Sequence, residues 1–197
     1  LALADDLKAF IERDTLTVGI CNGCQILVNL GLVPALSDYG VRDVAVTYNE
    51  SARYQCRWID LKVQSESPWL AGIDELHIPV AHGEGRFMME SETLEKLKAN
   101  NQIAARYVKE QEFANGEFPY NPNGSAYDIA AMTDKSGKVL AMMPHPERGM
   151  FTWQRDDYHE QKDAAQREGK PLSDETGAMQ IFKNAVEYFQ AAQKKSA

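Results

Sequence analysis

Apolar residues occur along this chain in short runs, and most of these runs have the length and the β-branched composition of strands. Polar segments that contain glycine or proline separate them, as is typical of turns and loops. Two of the runs flank Asp134-Lys135-Ser136-Gly137, a sequence typical of a β-hairpin. The pattern predicts strands at residues 15–20, 44–48, 54–63, 76–81, 103–108, 129–133 and 139–143.

Helical spacing of apolar positions marks the other predicted elements. We expect short helices at residues 25–30 and 91–99, the second with Ser91 as its N-cap. A first helix is expected at residues 3–13, and its apolar face carries Leu3, Leu7, Phe10 and Ile11. A last helix is expected from about residue 176, and its apolar face carries Met179, Phe182, Val186 and Phe189. Strands and helices mixed in one chain favour an α/β fold.

Composition restricts the partners and the location of the chain. Its 197 residues suffice for one ordinary core. The formal net charge of −8 argues against binding to nucleic-acid phosphates or to anionic membrane surfaces. Three cysteines, an odd number, fit a reducing compartment, and no apolar stretch reaches membrane-spanning length. Because no signal peptide opens the sequence, we expect a single cytoplasmic domain.

The segment Gly19-Ile20-Cys21-Asn22-Gly23 carries the first candidate chemistry. It lies between a predicted strand and a predicted helix, which is the setting of a nucleophile elbow. At so sharp a turn, side chains two residues before and after the nucleophile would collide with the backbone, and glycine avoids this collision. The start of a helix also favours a thiolate. We therefore predict that Cys21 is the nucleophile of a covalent mechanism.

A nucleophilic thiol needs a base, because its ordinary pKa of about 8.5 leaves it mostly protonated at neutral pH. Among the four histidines, His145 is the best candidate, since it closely follows the predicted strand at residues 139–143. Functional groups of α/β proteins lie beyond the carboxyl ends of strands. Pro144 and Pro146 restrict the backbone of this histidine, and Glu147 could orient its ring. Cys21, the histidine and the glutamate form a candidate triad.

Four motifs, in their order along the chain, resemble those of the triad-type, or class I, glutamine amidotransferases. The closest resemblance is to the C-terminal glutaminase domains of the phosphoribosylformylglycinamidine synthases. Cys24, which follows the elbow, indicates the large single-chain form of these synthases. The resemblance covers residues 15 to 190 approximately, and it implies a flavodoxin-like α/β fold with a mixed, mostly parallel sheet flanked by helices. The motifs are Cys21-Asn22-Gly23-Cys24-Gln25, Ala81-His82-Gly83-Glu84-Gly85-Arg86, Asn121-Pro122-Asn123-Gly124-Ser125 and Met142-Met143-Pro144-His145-Pro146-Glu147-Arg148.

The resemblance implies a role for each matching residue. Cys21 would attack the side-chain amide carbon of glutamine, forming a glutamyl thioester and releasing ammonia. His145 would transfer the protons, and Glu147 would orient His145. The backbone N–H of the residue after the nucleophile would bind the oxyanion. The implied residues of the glutamine pocket and the oxyanion site are Asn22, Gln25, His82 and Gly83.

The resemblance also implies what acts outside this segment. Ammonia would pass to a synthetase region of the same long chain, where ATP and Mg²⁺ would serve the conversion of formylglycinamide ribonucleotide to formylglycinamidine ribonucleotide in purine biosynthesis. This segment would hold no cofactor and no metal, and Gly83-Glu84-Gly85 lacks the further glycine and the lysine of a phosphate-binding loop. Domains of this family carry further elements before the elbow. We therefore expect residues 1–197 to be a single, N-terminally truncated glutaminase domain, without the synthetase region and with low activity on its own.

Two other functions fit parts of the sequence. Cys21 and Cys24 form a C-x-x-C motif between a strand and a helix, as in thioredoxin-like redox proteins, which predicts that Cys24 is required as the resolving thiol. The second alternative is a catalytically idle glutaminase domain that serves assembly. A zinc site would need a second close pair of ligands, and Cys56 stands alone, which fits a small buried residue.

Several other residues have ordinary structural explanations. His77 lies in an apolar run and fits a hydrogen-bonded core histidine, whereas His159 lies in a charged stretch and is expected at the surface. Arg148 could pair with a carboxylate near the triad. His82 and Glu84 also fit a purely structural loop, and the functional alternative for Glu84 is signalling between domains. The three tryptophans fit packing in the core or at an interface; they are Trp58, Trp69 and Trp153.

Overall fold

A computed structural model describes residues 3–196 of the chain. The strands of this part are β1 (Thr17–Ile20), β2 (Ala45–Tyr48), β3 (Gln55–Val63), β4 (Glu75–His82), β5 (Glu84–Met88), β6 (Ile103–Lys109), β7 (Glu112–Phe113), β8 (Ile129–Thr133) and β9 (Val139–Met142). The α-helices are α1 (Ala4–Ile11), α2 (Asn22–Asn29), α3 (Ser91–Ala99), α4 (Tyr158–Glu168) and α5 (Gly177–Ser196).

The strands form one large mixed sheet and one small one. The large sheet has the order β1-β9-β8-β6-β3-β4, with β7 beside β6, and the small sheet pairs β2 with β5. The expected mixed α/β architecture is confirmed, but the expectation of mostly parallel pairing is wrong for the described strands. Only β1 and β9 pair in parallel, and the other pairs are antiparallel. The apolar runs predicted the strands but not their direction, because a strand covered on both faces has the same pattern in either pairing.

The apolar core lies on both faces of the large sheet. In β9 and the residue that follows it, alternate side chains enter different clusters: Leu140 and Met142 join one, and Val139, Ala141 and Met143 join the other. Consecutive strand residues point to opposite faces, so the two clusters are the two sides of the sheet. Helix α2 packs on the second side through Cys24, Leu27 and Val28, and helix α5 packs on the first through Ala178 and Ile181.

The helices differ from the sequence expectations in three places. Helix α3 begins at Ser91, but its N-cap is Glu90 and no side chain caps it. Helix α5 buries Ala178 and Ile181, while Val186 of the predicted apolar face is 57% exposed. Helix α4 was not predicted, because it buries no residue and so has no apolar stripe. None of the helices within residues 3–196 combines the length and the apolar composition that a membrane span requires.

His77 of β4 links three parts of the fold. Its ring accepts or donates hydrogen bonds at both nitrogens, 2.7 Å to Asp60 of β3 and 2.9 Å to Asp156, and it stacks on Trp58 at 5.1 Å. Burial alone would lower the pKa of His77, but the two carboxylate hydrogen bonds outweigh it, and the pKa is raised. The predicted hydrogen-bonded histidine is confirmed, but it is half-buried and ion-paired rather than in the apolar core.

The turn between β1 and α2 depends on one of its two glycines. A Cβ atom at Gly19 would lie 2.5 Å from Cδ1 of Leu27 and 2.6 Å from the backbone carbon of Gly23, so a side chain is excluded there. A Cβ atom at Gly23 would meet no described atom within 4 Å. The predicted steric need for glycine is therefore confirmed at position 19 and wrong at position 23, where the helix leaves open space.

The two glycines provide a matched pair of substitutions. We expect Gly19→Ala to lower the free energy of unfolding by about 2 kcal/mol or more, because the methyl group forces β1 away from α2. We expect Gly23→Ala to leave this free energy unchanged or to raise it by up to about 1 kcal/mol, since alanine favours the helix. Urea unfolding monitored by circular dichroism measures both, and equal losses of stability in the two variants would contradict the account of the elbow.

Substitution of His77 should change stability in a pH-dependent way. Because the folded-state pKa of His77 is raised, its ion pairs stabilise fully below the unfolded pKa of about 6.5, and this contribution is lost as pH rises through the folded value. We expect His77→Gln to lower the free energy of unfolding by about 1 kcal/mol near pH 5.5 and by less near pH 9. The exposed His159 supplies the control variant His159→Gln. A loss that is the same at both pH values would be inconsistent with this role.

Candidate active site

Cys21 lies at the apex of the turn between β1 and α2. Its backbone has φ 50° and ψ −103°, a strained conformation for a residue other than glycine. The strain is held on both sides: the N–H of Cys21 donates to the carbonyl of Met142 at 2.8 Å, and the carbonyl of Cys21 accepts from the N–H of Gln25 at 3.0 Å. This is the geometry that the sequence predicts for a nucleophile elbow.

The thiol of Cys21 is half-buried, and its Sγ lies 4.0 Å from the carbonyl oxygen of Ala81. Burial raises its pKa, the charge of Glu147 adds to this, and the backbone N–H of Asn22 and the charge of Arg148 oppose it. The predicted preference for a thiolate at the helix start is therefore outweighed by burial. At neutral pH the resting group is a thiol, and it requires a base before it can attack a carbonyl carbon.

The parallel register of β1 with β9 brings the candidate base to the same edge of the sheet. Ile20 pairs with Met142, so Cys21 and His145 both follow the carboxyl ends of neighbouring strands. His145 is 6% exposed, and its backbone N–H donates to the carbonyl of Pro79 at 2.8 Å. This main-chain hydrogen bond to β4 fixes the position of His145 just beyond the end of β9.

Glu147 orients the imidazole of His145 directly. The two side chains join through Nδ1 and Oε1 at 2.6 Å, across the short turn Pro146–Arg148. An Nδ1–H that donates to this carboxylate leaves Nε2 as the basic nitrogen. Within residues 3–196, Nε2 of His145 is buried without a hydrogen-bond partner. The predicted pairing of Arg148 with a carboxylate is also found, since its Nε lies 3.5 Å from Oε1 of Glu147.

Of the other predicted pocket residues, Gly83 lies in the turn between β4 and β5 and Gln25 contacts this turn, whereas Asn22 begins α2. Gln25 reaches from α2 across to this turn, where its Nε2 donates to the carbonyl of Glu84 at 2.8 Å. The carbonyl of Gly83 accepts from the backbone N–H of Asn49 at 2.9 Å. The backbone N–H of Asn22 lies against the sulfur of Cys21 and lowers the thiol's pKa. The side chain of Gln25 thus holds the turn in place.

His82 ends β4 one residue after Ala81, whose carbonyl faces the thiol. Its ring is 3% exposed; Nδ1 lies 3.1 Å from Oδ1 of Asn49, and Nε2 is buried without a partner in the described part of the chain. Burial, together with a smaller effect of the protonated form of His145, lowers the pKa of His82 to about 4. The imidazole is therefore neutral at physiological pH.

A buried polar network fixes the turn, and the pairing of its members could not be predicted from the sequence. Nδ2 of Asn123 donates to the carbonyl of Gly85 at 2.8 Å, and the hydroxyl of Ser125 accepts from the N–H of Phe87 at 3.0 Å. Asn49 donates from Nδ2 to the carbonyl of His82 at 2.9 Å. The Asn-Pro-Asn-Gly-Ser segment is recognisable as a motif in the sequence. Its hydrogen-bond partners lie in the distant strand β5, whose glycine, like that of residue 83, is typical of a loop.

The alternative cysteine sites gain no support from the structure. Cys24 of α2 is fully buried in the core, and burial raises the pKa of its thiol well above the usual range. Cys56 is exposed, so the prediction of a buried residue is wrong; it lies on the outward face of β3. Among residues 3–196, one cluster could hold a metal, His77 with Asp156 and Asp157. Arg155 already pairs with both carboxylate oxygens of Asp157 at 2.7 Å.

Comparison with known proteins identifies the family of this chain. The sequence pattern of the CobB/CobQ-like glutamine amidotransferase domain matches residues 2–189. A Methanococcus maripaludis protein named phosphoribosylformylglycinamidine synthase subunit PurQ is 47% identical over 191 residues, which are 95% of this chain and 70% of that protein. A Dehalococcoides mccartyi protein of the same name is 37% identical over 190 residues, 95% of this chain and 69% of that protein.

A solved structure extends the comparison to the fold. The structure of PurLQS from Thermotoga maritima superposes with a TM-score of 0.63 at 26% identity, covering 95% of this chain and 68% of that chain. These relatives are named as separate subunits, so the expected large single-chain form is not supported; Cys24 alone was too weak a marker. The chain therefore belongs to the CobB/CobQ-like glutamine amidotransferase family and, within it, to the family of PurQ subunits of phosphoribosylformylglycinamidine synthase.

Proposed function

We propose that this chain is the glutamine-hydrolysing subunit of a phosphoribosylformylglycinamidine synthase and that it supplies ammonia to a separate synthetase subunit. The main support is that Cys21 and the His145–Glu147 pair follow the same ends of two hydrogen-bonded strands. Family membership makes the chain a glutamine amidotransferase. It lends no support to the redox alternative.

The reaction begins at a thiol that has not yet lost its proton. Nε2 of His145 removes the proton of Cys21 as Sγ attacks the side-chain amide carbon of glutamine. The C–N bond then breaks, the imidazolium returns the proton to the leaving nitrogen, and ammonia departs from a glutamyl thioester. In the second half, His145 takes a proton from water, the resulting oxygen attacks the thioester, and glutamate leaves as Cys21 regains its proton.

Each remaining pocket residue has a role that fits its contacts. The N–H of Asn22 donates to the oxyanion, because it already faces the sulfur and precedes the body of α2. Glu147 holds His145 in one tautomer and stabilises the imidazolium. Gln25, through its hydrogen bond to Glu84, sets the position of the Gly83 turn against which the substrate binds.

The partner of this reaction is a synthetase subunit. The Thermotoga maritima structure of similar fold is that of PurLQS, and we propose an assembly of that type for this chain. ATP and Mg²⁺ act in the synthetase subunit, which consumes the ammonia in making formylglycinamidine ribonucleotide. The net charge of −8 and the three cysteines fit a cytoplasmic assembly that does not bind nucleic acid.

Substitution of the two neighbouring cysteines separates the candidate functions. We expect Cys21→Ala to lower the rate of glutamine hydrolysis by about 10³-fold or more, because no other group replaces the nucleophile. The same complex should still use added ammonium chloride as its nitrogen source. We expect the matched variant Cys24→Ala to retain hydrolysis within about threefold, since that sulfur packs in the core.

Three outcomes of the cysteine experiment would contradict the proposal. Equal loss of activity in both variants would favour the C-x-x-C redox function. Unchanged hydrolysis in Cys21→Ala would exclude Cys21 as the nucleophile, and a wild-type complex that hydrolyses no glutamine would favour the idle assembly domain.

Glu147→Gln tests the orienting carboxylate. We expect kcat for glutamine hydrolysis to fall by about 10- to 100-fold with little change in KM, because the amide no longer stabilises the imidazolium of His145. The exposed Glu160 supplies the control Glu160→Gln, which should match the wild type. Steady-state kinetics of the complex measures both, and a variant whose KM alone changes would assign Glu147 to binding.

A further inference from the structure

Three buried polar atoms near the thiol have no hydrogen-bond partner in the described residues: Nε2 of His145, Oε2 of Glu147 and Nε2 of His82. The first two belong to the proposed triad. Buried polar groups are almost always paired, so each such atom needs an explanation. Nε2 of His82 is the one that the reaction above does not use.

The hydrogen bonds of Asn49 determine which nitrogen of His82 carries the proton. Nδ2 of Asn49 donates to the carbonyls of Arg53 and His82, both at 2.9 Å. The amide is therefore oriented with Oδ1 toward the ring, and Nδ1 of His82, 3.1 Å away, must be the donor. Nε2 of a neutral imidazole is then an acceptor that has no proton to give.

The ring of His82 is held in one orientation. It fills the space where a Cβ of Gly85 would lie, since such an atom would overlap the imidazole. Gly85 is itself fixed, because its carbonyl accepts from Asn123 at 2.8 Å and from the hydroxyl of Ser125 at 3.3 Å. A packed ring with one nitrogen tied to Asn49 keeps its other nitrogen aimed at the same place.

That place adjoins the reacting atoms. Ala81, the residue before His82, turns its carbonyl toward Sγ of Cys21, and His145 lies near enough for its protonated form to lower the pKa of His82. The residue that carries this neutral acceptor is therefore a close neighbour of both the nucleophile and the base. An acceptor cannot stabilise an oxyanion, which needs donors. Nε2 of His82 instead fits a substrate group that donates a hydrogen bond from an N–H.

We propose that Nε2 of His82 accepts a hydrogen bond from the nitrogen that leaves the substrate amide and holds the released ammonia beside the thioester. This inference rests on the proposed glutaminase function and adds a residue to it. The contact is strongest while the nitrogen carries the proton received from His145, because its N–H bonds are then the best donors. Burial keeps His82 itself unprotonated, so it cannot convert ammonia to ammonium, which lacks the nucleophilic electron pair.

Two substitutions of His82, assayed in the complex with the synthetase subunit, test the proposed contact. His82→Leu removes the acceptor, and we expect kcat for glutamine hydrolysis to fall by about 10- to 100-fold while KM changes less than about threefold. His82→Gln keeps an acceptor oxygen and should recover at least about threefold of that loss. The control His159→Gln alters an exposed histidine and should match the wild type.

A spectroscopic measurement tests the tautomer without relying on activity or on the folding of a variant. In protein labelled with ¹⁵N-histidine, we expect His82 to be neutral with its proton on Nδ1 at neutral pH, and not to titrate above pH 5 approximately. A proton on Nε2, or an imidazolium at neutral pH, would overturn the inference. So would an unchanged kcat in a folded His82→Leu variant. A wild-type complex without glutaminase activity would overturn the proposed function itself, which is a separate outcome.

Discussion

The parallel pairing of β1 with β9 is the constraint on which the site depends. Strand β1 ends at the elbow and β9 leads to His145, so their register decides whether the thiol and the imidazole share one edge of the sheet. The hydrogen bond from the N–H of Cys21 to the carbonyl of Met142 locks that register at its last position. The apolar side chains of β9 alternate between two cores, which buries the strand on both faces and holds it rigidly.

Burial shifts the pKa values of Cys21 and His82, which lie near this edge of the sheet, in opposite directions. It raises the pKa of the Cys21 thiol and so keeps the nucleophile protonated at rest, and it lowers the pKa of His82 and so keeps that ring neutral. The nucleophile and the ring of His82 therefore carry no charge at rest, and the thiolate forms only when His145 takes the proton. The Asn49, Asn123 and Ser125 network pairs the backbone of the surrounding turn, so few polar groups compete with the substrate.

The sequence predicted the local features and failed on pairings between distant segments. Gly19 and Cys21 define the elbow within a few residues, and His145 with Glu147 is equally local, so both were found. Strand direction was not, because a run such as residues 139–143 is equally apolar in parallel and antiparallel sheets. Strand β5 was not predicted, because a glycine at its start is typical of a loop. That glycine, Gly85, leaves room for the ring of His82, 3 residues away. Likewise, the carboxylates that hold His77 come from β3 and from residue 156.

The most direct test of the account is to identify the covalent intermediate. The complex is mixed with glutamine, quenched rapidly in acid and digested, and its peptides are analysed by mass spectrometry. We expect a glutamyl adduct on the sulfur of Cys21, formed within one turnover and absent when His145 is replaced by alanine. Glutamine hydrolysis that proceeds with Cys21 unmodified throughout, or an adduct on Cys24, would contradict it.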